Sequence, residues 1–73
     1  MTVLHLGDGG EILFSYETPV VAHVRTAAGA WEYIRVDRYY SRTTSGHVSK
    51  YLNGAKARAV TPEIMQMILE EAR

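Results

Sequence analysis

From Arg38 to Leu52 the chain reads Arg-Tyr-Tyr-Ser-Arg-Thr-Thr-Ser-Gly-His-Val-Ser-Lys-Tyr-Leu. This stretch gathers three tyrosines, a run of hydroxyls, a histidine and three of the eight basic residues. Those residue types suit anion binding. A helix that starts inside Thr43-Thr44-Ser45 would offer unpaired backbone N–H groups and the positive end of its dipole to a phosphate. Gly46 would allow close approach, the hydroxyls would donate, Arg42 would add charge, and Tyr39 and Tyr40 would give a base a surface to stack on. The candidate ligand-binding residues are Arg38, Tyr40, Arg42, Thr43, Thr44, Ser45, His47 and Lys50. The competing account is structural: the hydroxyls cap the helix, His47 is a packed and hydrogen-bonded side chain, and Tyr40 and Tyr51 fill the core.

Catalysis has less support, and no enzyme is expected. His5, His23 and His47 lack the spacing of metal ligands. Ser45 and His47 are a nucleophile and a base type two positions apart, where helical side chains do not face each other. Asp8-Gly9-Gly10 lacks the further acids of a calcium loop. No phosphate-loop or dinucleotide fingerprint is present, and no cofactor or metal is expected.

The charges are segregated along a chain whose formal net charge is zero. Six basic residues between Arg35 and Arg58 stand against Asp37 alone, while the rest sets Arg25 and Arg73 against seven acids. Such segregation places a basic face on a neutral protein unless the two sets interleave in space.

The elements that would position this stretch form a single domain over residues 1–73. So short a chain buries only roughly 60% of its unfolded surface, and without cysteine no disulfide reinforces it. Self-association is therefore one expectation. No apolar run approaches the ~20 residues of a membrane span, and no signal-peptide pattern opens the chain. A soluble, cytoplasmic protein with no membrane partner is expected.

Met1 to Leu6 suits a short strand, and Gly7-Asp8-Gly9-Gly10 suits a turn. Glu11 to Glu17 alternates as a strand, with Ile12, Phe14 and Tyr16 on one face and Leu13 and Ser15 on the other. Thr18-Pro19 marks an edge, a bulge or a bend. Val20 to Thr26 and Trp31 to Asp37 make a hairpin around Ala27-Ala28-Gly29-Ala30. If Val20, Ala22 and Val24 join Ile34 and Val36 on one core face, His23 and Arg25 look outward beside Trp31, Tyr33 and Arg35. That face is either a ligand platform or the floor under a helix. The first helix carries Val48, Tyr51 and Leu52 at helical spacing and stops at Asn53-Gly54. Ala55 to Val60 is ambiguous, with an extended conformation one option. Thr61-Pro62-Glu63 starts a second helix, whose stripe is Ile64, Met65, Ile68, Leu69 and Ala72, with Met67 off it. The expected fold is α+β: a small antiparallel sheet of three or four strands with two helices in the C-terminal half.

Two motifs carry a resemblance. Ser15-Tyr16-Glu17-Thr18-Pro19-Val20, followed by Tyr40-Ser41-Arg42-Thr43-Thr44-Ser45-Gly46-His47, is similar to a family of short uncharacterised bacteriophage and prophage proteins. In that family S-Y-x-T-x-V precedes Y-S-x-T-T-S-x-H near a helix start. The similarity spans roughly residues 12–52. Gly46 departs from the pattern, in which a larger polar or basic residue is more usual. The resemblance implies a phage or mobile-element origin, hence the host cytoplasm, and no substrate. The expected function is a non-enzymatic phage-type accessory protein that binds an anionic partner, nucleic acid or nucleotide, near residues 38–50. The alternative is a protein-binding inhibitor of a host or anti-phage defence protein.

Overall fold

A computed structural model describes residues 1–72. The elements are β1 (Thr2–His5), β2 (Glu11–Ser15), β3 (Thr18–Arg25), β4 (Trp31–Val36), α1 (Arg42–Leu52), β5 (Ala57–Val60) and α2 (Pro62–Ala72). The class is α+β as expected, but the sheet has five strands in the order β1-β2-β3-β4-β5 and is mixed rather than antiparallel. The first three pairings are antiparallel and β4–β5 is parallel. The extra strand is the ambiguous Ala55–Val60 stretch. A parallel pair needs a long crossover, and residues 37–56 with α1 inside them supply it.

Adjacent residues of the central strands are fully buried: Ile12 with Leu13, and Val20, Val21 and Ala22 in succession. Side chains alternate along a strand, so this run requires cover on both sides of the sheet. The helices provide it. Tyr51 of α1 meets Glu11 and Tyr33, which lie in register with His23 across β2, β3 and β4. Ile68 and Ala72 of α2 line a cleft with Val24, the next residue of β3 and therefore on the opposite face. Ala22, Val24 and Ile34 share one face, as grouped from the sequence, and turn toward α2; Leu13 and Val21 turn toward α1, so the opposite face is the floor under a helix.

Local chemistry explains most boundaries. In the first hairpin Gly10 has no room for a side chain, since a Cβ there would lie 2.9 Å from the His23 carbonyl oxygen. The strand predicted to run to Glu17 ends at Ser15, because Ser15 pairs with Thr18 and Tyr16-Glu17 forms the turn. The register shifts between Leu13 and Phe14, leaving a bulge beside Pro19, where a missing N–H donor is tolerated. Asn53 takes the left-handed conformation that ends α1, with φ 47°. In α2 the Thr61 hydroxyl accepts the Ile64 N–H at 3.2 Å, and Met65 and Leu69 are buried. Ile64, expected in the stripe, is 44% exposed, and Ile68 is only half-buried.

Candidate functional site

The cap of α1 lies one step earlier than the hydroxyl run suggested. Ser41, not Thr43, Thr44 or Ser45, is the N-cap: its Oγ accepts the Thr44 N–H at 3.1 Å and its carbonyl accepts the Ser45 N–H at 2.9 Å. The amides of Arg42 and Thr43 have no hydrogen-bond partner among the described residues, as expected for the first turn of a helix. No acid stands in that turn.

Behind the cap, the two sequence motifs meet. Ser41 donates its hydroxyl to Thr44 Oγ1 at 3.2 Å, Thr44 Oγ1 lies 2.9 Å from Ser15 Oγ, and Ser15 Oγ lies 2.8 Å from His47 Nδ1. Ser15 and Thr44 are the two buried polar residues among those described. A buried hydroxyl without a partner is costly, so this chain fixes α1 onto β2 by geometry as well as by burial. Further along, Tyr51 donates to Glu11 at 2.7 Å, and Glu11 also lies 3.3 Å from His5 Nδ1. Burial and the bond to Glu11 push the Tyr51 phenol well above its ordinary pKa, which holds it as a donor.

The candidate residues therefore divide. Thr44 is buried and engaged, and Ser45 and His47 are half-buried. Arg38, Tyr40, Arg42, Thr43 and Lys50 are exposed, as is Tyr39, with 72% of its surface accessible. Arg42, Gly46 and Lys50 recur every four residues on the solvent side of α1, so Arg42 and Lys50 stand ~12 Å apart along its axis. Lys50 is in the last turn and belongs to this outer ridge, not to the helix start. Arg58 pairs with Glu32 at 2.9 Å; Arg35, Arg38, Arg42, Lys50 and Lys56 form no ion pair among the described residues. The basic segment is thus largely uncompensated on the surface.

The pairing of Ser15 with His47 joins a nucleophile type to a base type, yet Ser15 is 1% exposed and no substrate can reach it. Among the described residues no group of three or more His, Asp or Glu is placed to hold a metal ion. Among the described residues no helix is long and apolar enough to cross a membrane. His23, Tyr33 and Trp31 do share a face, with His23 stacked on Tyr33 at 4.1 Å and Arg25 5.0 Å over the Trp31 ring. Tyr51 closes on Tyr33 edge-on at 6.1 Å, so half of that expected platform is the floor under α1. A cleft of about 270 Å3 beside α2 includes none of the candidate residues.

The sequence alone does not single out Ser15 as part of this frame. A serine at the inward end of a strand is a signal of a buried polar partner, but its partner lies 29 residues away and only the fold names it. No curated protein and no solved structure matches this sequence. A family model does match, over residues 1–67, and the chain belongs to that family, a family of unknown function (DUF8033).

Proposed function

We propose that the chain is a small non-enzymatic accessory protein of phage type that binds an anionic partner, nucleic acid or nucleotide, through the surface of residues 38–50. The observation that carries this reading is the start of α1. The free amides of Arg42 and Thr43 stand at the positive end of a helix with no acid in its first turn, and neither Arg42 nor the preceding Arg38 is ion-paired among the described residues. Tyr39 and Tyr40 are exposed in the same segment, where a core role would have buried them. The test is retention on a polyanion column. Reversing Arg38→Glu and Arg42→Glu together should abolish retention and leave the circular-dichroism spectrum unchanged. Unchanged retention would remove the basis of this reading.

A second reading, a protein-binding inhibitor of a host or defence protein, has one observation in its favour. Ile64 and Met67 are one turn apart on α2 and are 44% and 56% exposed. Binding that survives the arginine reversal but is lost in Met67→Glu would favour it.

A further inference from the structure

Two facts about the hydroxyl chain combine into a more specific site. Ser15 is fully buried, so its hydroxyl proton needs an acceptor within the protein. Thr44 Oγ1 already accepts from Ser41 at 3.2 Å, and the partner left for its own proton among the described residues is Ser15 Oγ at 2.9 Å. Ser15 in turn gives its proton to His47 Nδ1 at 2.8 Å. The direction Ser41 to Thr44 to Ser15 to His47 leaves each proton engaged. With Ser41 donating to Thr44, a Ser15 hydroxyl that also donated to Thr44 would leave the Thr44 proton without a partner among the described residues. The chain therefore selects the tautomer in which His47 carries its proton on Nε2, which makes no hydrogen bond among the described residues.

Near the His47 ring stands Tyr16. Its φ of 59° at the first position of a two-residue hairpin loop is the type II′ pattern, a place glycine fills without strain. The tyrosine gains no core burial in exchange, since it is 70% exposed, and its ring centre lies 6.2 Å from the His47 ring, tilted by 53°. A strained residue that contributes nothing to packing is a reason to look for function.

We propose that Tyr16 and His47 form a subsite for one nucleotide unit of single-stranded nucleic acid: a base stacks on the Tyr16 ring and a phosphate oxygen accepts the His47 Nε2–H. This rests on the anionic-partner reading above and narrows it. A base can lie on an exposed ring only if it has left its own stack, so the single strand is preferred over the duplex. Ser41, Thr44 and Ser15 are positioning residues that act through His47.

The test is fluorescence anisotropy at fixed salt with a labelled single strand of about twelve nucleotides and with its duplex. Tyr16→Gly should melt no lower than wild type, because glycine relieves the turn, and should lose about tenfold or more in single-strand affinity. Tyr16→Phe should keep the affinity. His47→Asn should retain the bond from Ser15 through Oδ1 and lose about tenfold in affinity for want of the outer donor. Duplex affinity should not change in Tyr16→Gly. If Tyr16→Gly binds the single strand as wild type does while the Arg38→Glu, Arg42→Glu variant does not, the subsite is refuted and the basic segment stands alone. If wild type binds neither probe, both readings fall. Should His47→Asn fold poorly, the two Tyr16 variants decide.

Discussion

The two helices have the same length, eleven residues, and are attached to the sheet by different physics. α2 is held by burial: Met65 and Leu69 are inside, Glu63 complements its dipole, and its polar contact is the Thr61 cap. α1 is held by position as much as by burial. Val48 and Leu52 are inside, but Thr44, His47 and Tyr51 each make a directed bond to β2. The non-directional attachment would tolerate a small shift of α2 along its groove. The directed one fixes α1 in place, and with it the side chains on its outer surface. α2 is therefore fixed mainly by packing and α1 by packing together with directed bonds.

Breaking each attachment in its own way should separate them. The largest effect is expected from α2: Leu69→Ala should destabilise the protein by about 2–5 kcal/mol in urea unfolding, with Ile68→Ala costing less because Ile68 is half-buried. A wild-type-like Leu69→Ala would mean that α2 does not cover the core. The next effect belongs to α1. Thr44→Val keeps the shape and removes the hydroxyl between Ser41 and Ser15, for a loss of about 1–3 kcal/mol. Its effect should not add to that of Ser15→Ala, since both break one chain. Ser41→Ala should cost about 1 kcal/mol as a lost cap, with Thr43→Ala close to neutral. Equal losses at Ser41 and Thr43 would contradict the cap assignment.

The smallest effect is a pH dependence. The folded Tyr51 phenol titrates above its unfolded value, so its contribution to stability is complete below the ordinary tyrosine pKa of about 10. That contribution is lost as pH rises from there through the folded pKa. Stability should therefore fall more steeply in alkali for wild type than for Tyr51→Phe. Parallel alkaline curves would contradict the part-buried bond to Glu11.

Much of this contrast was legible in the sequence, though not all. The second hairpin, the Asn53-Gly54 stop and the Thr61-Pro62-Glu63 start are local signals, and each is where local chemistry placed it. The parallel β5 was not legible because Lys56 and Arg58 interrupt its apolar pattern, and its pairing depends on the path of α1. Tyr16 continued the alternation of Ile12 and Phe14, and nothing local reveals that the turn begins there. Ser41, Thr43, Thr44 and Ser45 can all cap a helix. What distinguishes them is Ser15, which draws Thr44 inward and leaves Ser41 at the end. In the candidate site, Arg38, Tyr40, Arg42 and Thr43 lie on the surface, so Tyr40 does not fill the core, while Thr44 is part of the frame behind it.

The central claim is that α1 presents a basic surface to a polyanion. It is tested most directly by single-strand affinity measured across a salt series, for wild type and for the Arg38→Glu, Arg42→Glu variant. Phosphate contacts release counterions, so the wild-type plot of log affinity against log salt should fall with a slope of roughly −0.7 per contact. The variant should bind weakly with a flatter slope. A wild-type affinity that does not vary with salt, or a variant with the wild-type slope, would contradict the claim.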